Sequence, residues 1–212
     1  MKKIVHCMIV CILMGMSGHV LAEKKANYCG ELKNHYGPFD YRLPGPGGWS
    51  LVEDAHFTPE VEAGLHGMTG PIGGDIDYTL RAIPNHPRAL ETMGRLSLRA
   101  KTMQMANAHY PTECYFERAV RFTPNDAVVR GLYGNYLTAL GRHAEAIRMF
   151  ESAVNLAPDN PAINYNLGLV YMRTKNYDKA AEYADKAYAL GFPLPGLRNQ
   201  LAQVRKGAAD SK

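Results

Sequence analysis

From Ala127 onward, apolar side chains recur three and four positions apart, the spacing of one helix face, and each run stops at residues a helix cannot pass. Between Ala127 and Leu140 this pattern predicts a helix closed by Gly141, where a left-handed residue is wanted. A second helix is predicted from about His143 to Leu156. Ala146, Phe150 and Ala153 lie on its buried stripe, and Pro158, Asp159 and Asn160 stop it. Asn160 then caps the next helix, with Pro161 in the first turn, where a missing N–H does no harm.

The pattern is periodic. Gly134 recurs as Gly168, Ala146 as Ala180, Ala153 as Ala187 and Pro124 as Pro158, always at the same interval, 168 − 134 = 34. Phe116 and Ala119 recur at that interval as Phe150 and Ala153. A fixed period of this length belongs to stacked pairs of helices, each pair burying its apolar face on the next. Small residues at Gly134 and Ala146 let the two helices of a pair approach, and Phe150 is expected to fill the space toward the following pair. Upstream, Pro87 to Gly94 with Leu90 and Met93 reads as another first helix, but the step from Gly94 to Gly134 exceeds the period, 134 − 94 = 40. The extra residues are predicted to lengthen that helix through Met103 and Met105 and to add a turn at His109–Pro111. The second helix of this pair then carries Phe116, Ala119 and the closing Pro124. Earlier still, Thr58 and Pro59 open a short helix ended by Gly67, and the turn Gly70–Gly74 leads into a helix from Asp75 to Ile83 closed by Pro84. After Pro195 and Gly196, a polar-faced helix from Leu197 to Lys206 is expected to cap the stack.

These residues resemble the tetratricopeptide repeat family, whose pattern is W-x2-L-G-x2-Y, then A-x3-F, then a closing P. Residues 127–160 carry Tyr133, Gly134, Leu137, Ala146, Phe150, Ala153 and Pro158; residues 161–194 carry Leu167, Gly168, Tyr171, Ala180, Ala184 and Ala187. Arg130 and Asn164 replace the opening Trp, and Phe192 stands at the last closing position with Pro193 one residue later. The resemblance implies an all-α, right-handed solenoid of helical hairpins. It assigns 58–83 to a degenerate helix pair, 84–126 to an extended repeat, 127–160 and 161–194 to regular repeats, and 195–212 to a capping helix and tail.

It also implies a concave groove lined by the first helix of each repeat. The groove positions of the family fall on Arg88, Glu91, Arg95, Leu98 and Arg99, then Val128, Gly131, Asn135, Thr138 and Ala139. In the last repeat they fall on Ala162, Tyr165, Leu169, Met172 and Arg173, with Asn166 at a site that some members use to clamp peptide termini. Asn135 and Asn166 can each donate to and accept from an extended backbone, and Arg88, Arg95, Arg99 and Arg173 suit a carboxylate through paired hydrogen bonds. Together with Tyr165 they form the expected peptide-binding set. Gly131 stands where the terminus clamp needs a Lys, so general peptide binding is expected rather than that specific clamp.

The N-terminus changes the compartment. Lys2 and Lys3 precede an apolar run from Ile4 to Met16, and Val20 and Ala22 sit at the minus-three and minus-one positions of an export-peptide cut. Cleavage is expected after Ala22, with the product periplasmic in a Gram-negative cell and secreted otherwise. The run falls short of the roughly 20 residues that span a bilayer, and Glu23 rather than a lipidated Cys would follow the cut. No membrane span is expected in the mature chain. Removing two lysines and no acid leaves 22 − 20 = +2, a balance that argues against a nucleic-acid partner.

Cys7 and Cys11 leave with the leader, so Cys29 and Cys114 are expected to form a disulfide in an oxidising compartment; they lack the CxxC spacing of redox-active thiols. Closing a loop of about 85 residues would stabilise by about 4–5 kcal/mol on the chain-entropy model. Residues 23–57 hold Pro38, Pro44, Pro46, four glycines from Gly37 to Gly48, and the aromatics Tyr28, Tyr36, Phe39, Tyr41 and Trp49. That mixture predicts an irregular arm packed on the helices and pinned by Cys29.

No catalytic group, metal site or cofactor site is predicted. His35, His56, His66, His86, His109 and His143 form no HExxH or compact His/Cys cluster, and the acidic stretch Glu53, Asp54, His56, Glu60, Glu62, His66 fits no ligand spacing. The Gly70–Gly74 segment lacks the Lys-Ser/Thr of a phosphate loop. The expected function is an exported protein–protein interaction module, an adaptor or assembly factor that holds a peptide of its partner. One alternative is a ligand- or glycan-binding or enzymatic site built by Tyr36, Tyr41 and Trp49 over the repeats. Another is a structural subunit of an envelope complex.

Overall fold

The computed structural model describes residues 28–43 and 48–210; the leader 1–22 and the prolines Pro44 and Pro46 fall outside the described residues. The described chain is helical, with elements α1 (Trp49–His56), α2 (Pro59–Ala63), α3 (Ile72–Ala82), α4 (Pro87–Ala100) and α5 (Thr112–Phe122), then α6 (Ala127–Ala139), α7 (His143–Leu156), α8 (Pro161–Arg173), α9 (Tyr177–Ala189) and α10 (Gly196–Asp210). The pairs α4–α5, α6–α7 and α8–α9 are successive antiparallel hairpins, α10 closes one end, and α1–α3 close the other. One continuous core runs from Phe57 and Val61 through the stack to Leu197 and Leu201.

Each hairpin is drawn together at a glycine. A Cβ on Gly134 would lie 2.8–2.9 Å from the Phe150 ring, and one on Gly94 would lie 3.2 Å from Phe116. Phe150, expected to fill the gap to the next pair, therefore lies over Gly134 of its own. In the third hairpin the position one period beyond Phe150 is Ala184. There Leu197 of α10 supplies the missing bulk, its Cδ2 within 2.6 Å of a Cβ placed on Gly168. The entry to each first helix repeats as well. Asp126 Oδ1 accepts from the N–H groups of Val128 and Val129 at 3.0 and 3.2 Å, and Asn160 Oδ1 accepts from those of Ala162 and Ile163, both at 3.1 Å. At α4 the cap is His86, whose Nδ1 accepts from the N–H of Ala89 at 3.2 Å. Neighbouring hairpins are also tied by hydroxyl–carboxylate bonds, Tyr133 to Glu113 at 2.7 Å and Tyr171 to Glu151 at 2.6 Å.

Several local expectations are corrected. α4 does not run through Met103 and Met105 but ends at Ala100. Lys101 takes a left-handed conformation (φ 52°), and the N–H of Thr102 returns to the Ser97 carbonyl at 3.0 Å. The inserted residues form a compact loop from 101 to 111, closed by the Thr112 N–H on Met103 O at 2.7 Å and by Gln104 on Ala108 O at 2.7 Å. This loop presses on α3, which begins at Ile72 rather than Asp75. A Cβ on Gly73 would meet Ala106 O at 2.4 Å, so that glycine serves close packing. Asp77, buried on α3, holds the loop by accepting from the His109 backbone at 3.1 Å and its Nδ1 at 2.7 Å, from Arg81 at 2.9 Å, and from the Tyr115 hydroxyl. α2 ends at Gly64 (φ 77°) rather than Gly67.

The arm is only partly irregular: Trp49–His56 is helical. No Pro or Gly interrupts those residues, and Trp49, Val52 and His56 fall on one face. Val52 joins Ala82 and Ile83 in a second small core. Cys29 and Cys114 are joined across 85 residues, with Cα atoms 5.0 Å apart. Beside them the buried Arg118 guanidinium donates to Cys29 O at 3.1 Å and Glu31 O at 2.6 Å, and Arg121 donates to Gly30 O at 2.8 Å.

The glycine crossings and the histidine cap can each be tested by stability. Gly134→Ala should destabilise by about 1–3 kcal/mol through overpacking against Phe150. Gly131→Ala should instead stabilise by up to about 1 kcal/mol from helix propensity, because its Cβ would meet Ile163 at an ordinary 3.6 Å. Urea denaturation of the two variants separates them by sign. For His86, burial pushes the imidazole below its ordinary value, outweighing the Glu53 carboxylate that pulls it up. A base depressed in the folded state contributes stability that is complete above the unfolded value of about 6.5 and fades as pH falls below it. Thermal melts from pH 7.5 to 5.5 should therefore lose stability more steeply in the wild type than in His86→Asn, which keeps a cap but cannot titrate.

Candidate peptide-binding groove

The first helices α4, α6 and α8 touch one another directly and make one wall of the stack. Along it the structure divides the expected peptide-binding residues into two groups. The arginines at the N-terminal end already hold the chain's own α2. Arg88 pairs with Glu62 at 2.6 Å and also with Glu53, while Arg95 donates to Glu62 O at 2.6 Å and Arg99 to Gly64 O at 3.4 Å. Thr92 reaches the same Glu62 carbonyl at 3.3 Å. These carbonyls are the ones a helix leaves without internal partners at its C-terminus. Nothing in the residue pattern signals this closure, because α2 is only five residues long and lies some thirty positions from the arginines it meets.

Beyond α2 the wall is open. Asn135 is exposed in a shallow depression of about 140 Å³ shared with Glu91, Leu98, Leu132 and Tyr136. Asn166 is half-buried and Arg173 exposed, and none of the three makes a hydrogen bond or ion pair among the described residues. Tyr165 is corrected: it is 7% exposed, stacked on Phe192 at 4.0 Å and edge-on to Tyr188, under the start of α10. Phe192 stands where the family closes with Pro.

The other candidate clusters have structural partners. Glu53 accepts from His86 Nε2 at 2.8 Å as well as from Arg88, and His56 Nδ1 lies 3.0 Å from Asp75. Tyr41 packs between Trp49 and His86 with ring centroids 4.9 and 4.4 Å away, and the Tyr36 hydroxyl donates to Gly48 O at 3.1 Å. These half-buried aromatics hold the arm to α1 and α3. Sequence reasoning did not anticipate the network at the far edge of the wall, where Glu113 accepts from Arg142 at 2.6 Å and from Tyr133. Burial alone would raise the Glu113 carboxyl, but those two donors outweigh it and hold it below the ordinary range.

Residues 134–191, from the middle of α6 past the end of α9, match the tetratricopeptide repeat family. Among solved structures, the MamA protein aligns with a TM-score of 0.57 over 76% of this chain and 82% of that one, at 17% identity. PilF of Pseudomonas aeruginosa aligns with a TM-score of 0.54 over 76% of this chain and 68% of its own, at 18% identity. Likeness at that identity is one of fold. No curated protein matches the chain at the level of sequence. Hairpins closed at Gly94, Gly134 and Gly168 and first helices capped at 86, 126 and 160 agree with that match: residues 134–191 carry the tetratricopeptide repeat pattern, and the helical stack around them has the tetratricopeptide repeat fold.

Proposed function

We propose that this protein is an exported adaptor that holds an extended peptide segment of a partner protein against α6 and α8. Its fold is that of a protein-interaction module in general. The observation that carries the finer reading is the behaviour of the same wall toward its own chain: Arg95, Arg99 and Thr92 grip the carbonyls of Glu62 and Gly64. One step along, Asn135, Asn166 and Arg173 offer uncommitted donors beside Leu132 and Leu169, the chemistry that would bind a backbone and a carboxylate without demanding one side-chain sequence. With α2 occupying the first repeat, the groove for a partner is shorter than the sequence pattern implies and begins at Asn135.

The test compares capture of envelope proteins by the wild type and by an Asn135→Ala, Asn166→Ala, Arg173→Ala variant. Each lost hydrogen bond contributes about 0.5–1.5 kcal/mol, so binding should weaken at least tenfold. Asn135 and Arg173 are exposed and Asn166 is half-buried without a hydrogen-bond partner among the described residues, so thermal stability should change by no more than about 0.5 kcal/mol per site. Equal capture by both proteins would refute the groove. Export has its own readout: mass spectrometry of the protein from the cell envelope or medium should find an N-terminus at Glu23. A chain retaining residues 1–22 inside the cell would contradict it. Among the described residues no helix is long and apolar enough to cross a membrane.

A further inference from the structure

A cavity larger than the depression at Asn135 lies outside the groove at the hairpin edge, between the C-terminal ends of α4 and α6 and the start of α5. It encloses about 750 Å³, within the roughly 300–1,000 Å³ typical of sites for small organic molecules. It exists because the inserted 101–111 loop forms one side and the Cys29–Cys114 bridge another, while Leu98, Pro111 and Tyr136 complete an apolar interior. Large apolar side chains stand exposed around it: Met103 at 78%, Tyr28 at 66% and Leu140 at 43%. A concave apolar surface with an exposed apolar rim is the kind of feature that marks a binding site on a folded protein.

The charges on the lining narrow the ligand. Glu113 is held by Arg142 and Tyr133, and Arg142 also binds Glu145 at 2.7 Å. Glu117 has a partner too. Lys101 alone of the lining charges has none among the described residues. Lys101 follows the last turn of α4 and is one of the residues lining a space larger than one partner side chain would fill.

We propose that this cavity binds a small amphiphile with an apolar body and an acidic head, of the fatty-carboxylate type, with the head at Lys101 and the body against Leu98, Tyr136 and the disulfide. The site shares only Leu98 and Tyr136 with the depression at Asn135 and does not depend on peptide binding there.

Decanoate and decyltrimethylammonium serve as the probes, titrated into the ¹⁵N-labelled, oxidised protein. Decanoate should shift the amide signals of Lys101, Met103, Tyr136 and Leu140 and bind at least tenfold more tightly than the cationic probe. Lys101→Glu should reverse that preference, and Leu140→Asp, at an exposed rim position, should weaken both probes while both variants keep the wild-type melting profile. Perturbations scattered over other exposed apolar residues such as Leu65 and Leu194 would overturn the proposal, as would an unchanged preference in Lys101→Glu. Shifts in this cavity from a capped Ala-Phe-Ala peptide with none from decanoate would overturn it in favour of a pocket for a partner's side chain.

Discussion

The distance between the two helices of a hairpin is set where a glycine faces a large ring, and nearly every other feature of this molecule depends on that approach. At Gly94 and Gly134 the opposing ring lies closer than a Cβ would comfortably permit, so the helix axes come together and neighbouring first helices touch. Only at that separation can Tyr133 reach Glu113 and Tyr171 reach Glu151 across consecutive hairpins. The third hairpin shows the same requirement met in another way. Its own second helix offers Ala184, and the capping helix inserts Leu197 over Gly168 instead. The cap is thus part of the last crossing as well as a polar cover for the stack's end.

The two ends of the stack are finished differently, and the difference governs what the inner wall can do. At the C-terminal end α10 covers Tyr165 and leaves Arg173 exposed. At the N-terminal end α1 and α2 lie on the first repeat, where Val61 and Phe57 enter the main core and Glu53 and Glu62 neutralise Arg88. An exposed ion pair of this kind contributes little by itself. The buried apolar groups of α2 hold the segment in place, and the arginines then saturate its carbonyls. The open stretch of the wall that remains has a closed end, which gives it a direction.

The insertion after α4 links the repeats to the arm. Had the extra residues continued the helix, no loop would lie between α3 and the Cys114 end of α5. As a loop they are anchored through His109 to Asp77, the arm is bound through the disulfide and Arg118, and a half-open cavity lies between the loop and the disulfide. The irregular part of the chain and the irregular repeat therefore make one structure, with the disulfide as its permanent wall.

Residue types recurring at one constant interval were enough to read the hairpins and the cap at Asn160, and the cysteine inventory was enough to pair Cys29 with Cys114. The caps and hairpins are local or periodic: a cap is decided within one turn of helix, and a repeat is decided by copies of the same contact. Sequence alone also named the wall on which Asn135 and Asn166 lie. It could not show that Arg88, Arg95 and Arg99 meet α2, that Tyr165 lies under Phe192, or that α4 stops at Ala100 to leave room for a loop. Each of these depends on two segments that share no period and meet only when the stack has formed, so the pairing carries no signature in either segment. The amino-acid order determined the repeating unit, and the tertiary structure decided which of its inner-wall side chains are already engaged by the chain's own segments.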